Sequence, residues 1–318
     1  MTSSLPANQP VSQPAARAAR PLKALYDVAA PAKLNLFLHI TGRRPDGYHL
    51  LQSVFMLIDW CDTLHFELRT DSQISREDLD DSSQAGGAAA TDLPAEDLAV
   101  RAARALQAAC GTSLGVHIGL QKRIPSQAGM GGGSSDAASC LLALQRLWGV
   151  SLPPQKLHAI ALALGADVPF FLSGGHAWVE GIGEKITPLA LPPARFVVVK
   201  PLAGLPTQGI FSAPGLKRDT ETATIQGFAA NAEGQLKSVD FEFGRNDLQP
   251  VAQEMCPQIG QSLDWLKRKG LQGRMTGSGS AVFAQLLHEA DLPDLSGLPE
   301  GWKIRKCSNL EAHPLAGW

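Results

Sequence analysis

The chain has 318 residues, of which 44% are hydrophobic and 18% charged, the make-up of an ordinary globular protein with enough core to fold unaided. Its 28 basic and 30 acidic residues leave a formal charge of −2, which gives no support to a surface for nucleic acid or other polyanions. No apolar run reaches membrane-spanning length, because the greasiest stretch, 159–172, is broken by Asp167 and Pro169.

Residues 1–25 are rich in Ser, Pro, Ala and Gln, carry Arg17, Arg20 and Lys23 without an acid, and lack the apolar centre of a secretory signal. A disordered extension is expected there, with an organelle transit peptide as the alternative. Residues 28–40 and 53–68 read as strands. In the first, alternation puts Leu34, Leu36 and Leu38 on one face and Lys33, Asn35 and Phe37 on the other. The stretch 70–91 is poor in apolar residues and holds clustered acids, so a flexible surface insertion is expected. An amphipathic helix follows at 98–109, then a strand at 115–121, a helix starting near Ser134, and another at 154–164. A second soft segment spans 226–235. The strands expected beyond it are 274–275, 281–286 and 303–306, with a buried strand at 195–200 and helices at 248–255 and 259–269. Strands and helices mix without regular alternation, which makes the class α+β. Three prolines in 187–193 suggest a boundary between domains at 26–190 and 191–318. The five cysteines are scattered without a C-x-x-C pair, as in reduced cytosolic proteins.

The run from Ile124 to Asp136 carries the strongest chemical signal. Four glycines occupy five positions, 129 to 133, and Ala137, Leu141, Leu144 and Trp148 then recur at helical spacing. Glycines permit positive φ and close approach of the backbone to a ligand. A helix that opens after them, with Ser134 or Ser135 as its cap, presents unpaired N–H groups at its positive end. That is a phosphate site. It is not a P-loop, since Gly133 is followed by Ser134 and Ser135 rather than by lysine. It is not a dinucleotide fingerprint either, because its third glycine position is Ser134. A plain flexible turn is the remaining alternative.

This string resembles the signature of the GHMP kinases, which include galactokinase, homoserine kinase and mevalonate kinase. The resemblance implies ATP held by Pro125, Ser126, Gln127, Ala128, Gly129, Met130, Gly131, Gly132, Gly133, Ser134 and Ser135, with Mg²⁺ whose protein ligands stay open. Two more segments, Pro31-Ala32-Lys33-Leu34-Asn35-Leu36 and Arg44-Pro45-Asp46-Gly47-Tyr48-His49, are similar to one branch of that family. That branch acts on 4-diphosphocytidyl-2-C-methyl-D-erythritol, in the non-mevalonate route to isoprenoids. Gly165-Ala166-Asp167-Val168-Pro169-Phe170-Phe171 resembles its catalytic segment, and further matches lie at 174–184, 205–211, 245–248 and 275–280. Gln208 departs from the Pro or Ser expected there.

The resemblance implies a two-domain fold with the active site between the domains. It also implies transfer of phosphate from ATP to the 2-hydroxyl of that substrate, with Lys33 and Asp167 as catalytic residues. Asp167 would take the hydroxyl proton, and Lys33 would offset negative charge at the transferring group. Asn35, Tyr48, His49, Thr207 and Phe211 would bind the substrate, Tyr48 and Phe211 stacking on cytosine and His49 pairing with its edge. On residue type alone, Asp167 reads first as a helix cap before Pro169, and Tyr48 and His49 as ordinary structural and loop residues. A GHMP kinase for a homoserine- or mevalonate-like alcohol, or a non-catalytic nucleotide-binding protein on the same fold, are the alternatives. The expected partner is a small molecule, without nucleic acid or membrane. A monomer or homodimer is expected, in the bacterial cytoplasm rather than a plastid.

Overall fold

The computed structural model describes residues 22–80, 93–229, 239–287 and 294–318. The chain opens with β1 (Ala24–Arg43) and β2 (His49–Arg69), followed by β3 (Ile74–Asp78), α1 (Leu98–Cys110), β4 (Gly115–Gln121) and α2 (Gly132–Trp148). Then come α3 (Pro154–Leu164), α4 (Val168–Leu172), β5 (Ala177–Gly181) and β6 (Lys185–Pro188). The strands of this half form one sheet in the order β3-β4-β2-β5-β6, with β1 paired to β2. The second half contains β7 (Arg195–Lys200), α5 (Thr207–Ser212), α6 (Ile225–Ala229), α7 (Gln249–Met255) and α8 (Pro257–Arg268). It closes with β8 (Arg274–Met275), β9 (Val282–Leu286) and β10 (Lys303–Ser308), in a sheet ordered β10-β7-β9-β8. The architecture is α+β; residues 189–194 join the last strand of the first sheet to the first strand of the second, and Thr187 and Pro188 of the expected link belong to β6.

Burial explains the layering. Helix α1 turns Ala99, Val100, Ala102, Ala103 and Leu106 inward, and α2 buries Ala137, Ala138, Leu141, Leu144 and Leu147 against the same sheet. Small alanine faces let the two helices approach each other and the sheet closely. Asp97 caps α1 by accepting from Val100 N at 2.9 Å. Strand β7 is sandwiched. Phe196 and Val198 enter the cluster that includes Leu34, Leu36 and Trp178, while Val197 and Val199 enter the one that includes Leu248, Ile259 and Trp265. Period-two alternation thus serves two cores at once. Main-chain bonds from Leu38 N to Arg245 O (2.9 Å) and from Asp247 N to Leu38 O (2.8 Å) tie β1 to the second half.

Several expectations need correction. Ala24 and Leu25, placed in the disordered extension, belong to β1, where Leu68 N donates to Lys23 O at 2.9 Å; residues 1–21 lie outside the described residues. The face assignment in β1 holds as far as Leu36 and fails at Phe37 and Leu38, Leu38 entering the other cluster. A register irregularity between Asn35 and Leu38 turns Phe37 into the cluster with Leu34 and Leu36. The soft stretch 226–235 begins inside α6, and its residues from 230 onward lie outside the described ones.

The flexible insertion at 70–91 also needs revision, since its residues 74–78 form β3, paired parallel to β4; residues 81–92 are not described. Polar side chains hide this strand from hydrophobicity because its support is main-chain pairing and Arg76. The Arg76 guanidinium lies 2.8 Å from Asp97 Oδ2 and 3.2 Å from Asp78 Oδ1. Both side chains of the Arg76–Asp97 pair are largely buried, so removing Arg76 leaves an unpaired buried carboxylate, which costs more than breaking a surface ion pair. Excising 70–91 with a short Gly/Ser bridge is therefore expected to lower the melting temperature by a few degrees. An unchanged melting curve would show that β3 and the Arg76 clamp contribute nothing.

Candidate active site

A cavity of about 760 Å³ lies between the two halves. It is lined by Leu93, Pro94, Glu96, Asp97, Leu98 and Arg101, by the glycine loop, and by Lys33, Asn35, Asp167, Thr207 and Phe211. Of the expected ATP residues, 125–134 line it and Ser135 does not. The wall at 93–101 was missed by the sequence reading, since nothing in that segment departs from an ordinary capped helix.

The loop is built by its backbone. Arg123 N and Ile124 N donate to Asp62 Oδ1 at 2.6 and 2.8 Å, fixing its entry. Gln127, Gly129 and Gly131 then take positive φ of 51, 72 and 71°. The expected serine cap is wrong. Helix α2 starts at Gly132 with Gly131 as its cap residue, and no side chain caps it. First-turn N–H groups left without a side-chain acceptor remain available to an anion, which suits phosphate better than a capped helix would. A second glycine turn, 276–280, packs on the loop: Ser280 N donates to Gln127 O at 3.0 Å and Ala281 N to Ala128 O at 3.2 Å.

Lys33 projects from β1 and is 3% exposed. Its backbone N donates to Met130 O at 3.0 Å, joining the strand to the loop. Its Nζ lies 3.5 Å from Asp167 Oδ2, donates to Asn35 Oδ1, and sits 4.5 Å from the centre of the Phe55 ring. Burial lowers the Lys33 pKa, and the Asp167 charge partly offsets that effect. Asn35 is held in turn by its Nδ2 bond to Ser53 Oγ and its N bond to Thr276 Oγ1, both 2.9 Å. Asp167 does stand at the cap position of α4, yet its side chain makes no capping bond. The carboxylate is committed to Lys33 instead of the helix. A buried ammonium, a carboxylate beside it and a phosphate loop in one cavity can align a phosphate donor with an alcohol.

Residues 97–175 match the GHMP kinases N terminal domain, and residues 224–294 match the GHMP kinases C terminal family. A 4-diphosphocytidyl-2-C-methyl-D-erythritol kinase from Polaromonas sp. strain JS666 is 82% identical over 300 residues, covering 94% of this chain and 96% of its own. The chain belongs to the GHMP kinases, in the family of that enzyme. A crystal structure of 4-(cytidine 5'-diphospho)-2C-methyl-D-erythritol kinase superposes with a TM-score of 0.67 at 36% identity, over 81% of this chain and 89% of the other. A mevalonate kinase structure superposes at 0.64, over 90% of this chain and 99% of the other, but with 14% identity it shares only the fold.

This GHMP kinase also contains a buried charge cluster beside the loop that the sequence did not reveal. Lys122 Nζ bonds to Asp62 Oδ2 and, at 2.6 Å, to Asp136 Oδ2. Two carboxylates thus share one ammonium. Burial pushes the Asp136 carboxyl up to about 8, with Lys122 opposing the shift and Asp62 adding to it. Because the folded-state pKa is raised, the contribution of this group to stability is full below the ordinary carboxylate range and is lost as pH rises through about 8. The melting temperature of the ligand-free kinase should fall over that rise, and Asp136→Asn should flatten the dependence. Equal slopes for the two proteins would refute this account.

The substrate-side residues are only partly gathered. Phe211, on α5, has its ring centre 5.2 Å from that of His49. Tyr48 lies in the turn between β1 and β2 and is 61% exposed. Neither Tyr48 nor His49 lines the cavity itself. Thr207 Oγ1 is 2.8 Å from Ser278 Oγ, which brings α5 onto the second glycine turn. Among the described residues no three His, Cys, Asp or Glu side chains gather to hold a metal, and no helix is long and apolar enough to cross a membrane.

Proposed function

We propose that this kinase transfers the terminal phosphoryl group of ATP to the 2-hydroxyl of 4-diphosphocytidyl-2-C-methyl-D-erythritol, in the non-mevalonate route to isoprenoid precursors. The observation that carries the reaction type is the Asp167 carboxylate, free of any capping bond and 3.5 Å from the buried Lys33 ammonium in the cavity of the glycine loop. The names of the relatives at 82% and 36% identity support the substrate. The aromatic pair His49 and Phe211 supports a nucleobase at that end.

Asp167 accepts the hydroxyl proton as the bond to phosphorus forms, and Lys33 offsets charge on the transferring group. Backbone N–H groups at the start of α2 hold the phosphates. The cluster of Lys122, Asp62 and Asp136 is neutralised internally and does not fit a dedicated metal cage. Mg²⁺ therefore fits as a companion of ATP, bound mostly by phosphate oxygens and water, where it would neutralise phosphate charge. All these groups come from one chain, so a monomer or a homodimer would serve equally. The five free cysteines suit the cytoplasm.

The deciding experiment is a coupled ADP-release assay with the cytidine substrate beside homoserine and mevalonate. Turnover of the cytidine compound alone is expected, and preference for either other alcohol would overturn the assignment. Tyr48→Ala and Phe211→Ala should each raise KM for the cytidine substrate several-fold, a stacking loss of roughly 1 kcal/mol, with KM for ATP unchanged. A rise in KM for ATP instead would place the aromatic pair on the wrong ligand.

A further inference from the structure

We propose that Arg218 is a positioning residue for the nucleobase end of the substrate site, where it locks His49 in one tautomer and ties it to the helix carrying Phe211. The proposal rests on the cytidine-substrate reading above. Arg218 Nε donates to His49 Nε2 at 3.0 Å. A guanidinium can only donate, so Nε2 must accept, and the neutral ring then carries its proton on Nδ1. Burial, with Arg218 and Arg43 acting in the same direction, lowers the His49 pKa and keeps the ring neutral.

The rest of the guanidinium is spent on the chain around α5. Nη1 donates to Leu216 O at 2.9 Å, and Nη2 to Ala213 O at 2.8 Å and Phe211 O at 3.3 Å. A helix of six residues has little stability of its own. A planar fork that grips its C-terminal carbonyls and the start of β2 together sets the spacing of the two rings, and an ammonium could not reproduce that geometry. The ring group of His49 left for a ligand is Nδ1–H, a donor. It complements the acceptor atoms on the edge of a pyrimidine such as cytosine rather than its amino group. ATP lies on the glycine loop and does not depend on this arrangement.

The test is a double-mutant cycle of Arg218→Met and His49→Ala, read in steady-state kinetics. Arg218→Met alone should raise KM for the cytidine substrate about tenfold, the loss of one hydrogen bond from a charged group, while kcat and KM for ATP hold. In the His49→Ala background the same change should add little, since Arg218 acts through His49. Fully additive effects, or an unchanged KM in Arg218→Met, would overturn the proposal. Nitrogen-15 spectra of histidine-labelled protein give a second readout. His49 should carry its proton on Nδ1 in the wild type and lose that preference in Arg218→Met. A proton on Nε2 in the wild type would refute the lock. Wild-type protein that fails to turn over the cytidine substrate would overturn the functional reading, whereas the spectra test the lock independently of activity.

Discussion

Asp167→Asn is expected to lower kcat by about a hundredfold or more, with melting temperature and ATP binding little changed. Asparagine keeps the shape of the side chain and caps a helix about as well as aspartate, so a residue that only capped α4 would tolerate the change. Asp167 occupies the cap position without making the capping bond, and its carboxylate faces Lys33 at 3.5 Å. The measurements are kcat by coupled ADP release and a melting curve. Near-full turnover in a folded variant would mean that another group takes the proton.

Lys33→Met is the companion change. The ammonium is buried against Phe55, where a thioether of similar length can pack. Folding should therefore survive while the positive charge beside Asp167 disappears. In the proposed mechanism the two residues act on one proton and one phosphoryl group, so their losses should not add in the double variant.

How far the sequence could be read depended on where each signal lay. The glycine loop and α2 were legible because backbone freedom and helical spacing are written in consecutive residues. The middle of β1 was legible too, but neither its ends nor the face of Phe37, because main-chain pairing extends the strand to Ala24 and Arg43 and a bulge between Asn35 and Leu38 leaves no mark in the residue pattern. Strand β3 escaped because it sits at a sheet edge and relies on main-chain pairing and the Arg76–Asp97 bridge rather than on apolar side chains. Asp62, Lys122 and Asp136 form one cluster only in three dimensions, and single charges in a sequence read as solvated ones. Asp167 was ambiguous for a different reason: a cap and a catalytic carboxylate ask for the same residue in the same place. Only the geometry shows where the oxygens point.

Gly129→Ala is expected to damage ATP binding and fold stability together, because two backbones meet at that position. Gly129 has a φ of 72°, and a Cβ there would overlap the Thr276 carbonyl oxygen and lie 2.8 Å from Gly279 N. Neither obstacle is a side chain that can rotate away. The constraint is mutual, since a Cβ on Gly277 would lie 2.6 Å from Gly129 O. The loop proposed to hold phosphate and the late glycine turn are thus interlocked, and a side chain on Gly129 or Gly277 pushes them apart. Gly149→Ala is the control: φ is 63° and nothing lies within 4 Å, so it isolates the left-handed backbone penalty of about 1 kcal/mol. Gly132→Val separates binding from folding. Its nearest neighbours are the Ile124 Cγ2 at 3.1 Å and the Lys122 Nζ at 3.4 Å, both on side chains. The fold can yield there, yet the added bulk stands at the first turn of α2, where phosphate would sit. Melting curves and ATP titrations on the three variants should rank Gly129→Ala as the least stable and Gly132→Val as folded but weak for ATP. Gly129→Ala matching Gly149→Ala in both measurements would show that the interlock carries no load. Unaltered ATP affinity in folded Gly132→Val would show that the loop is not the phosphate cradle.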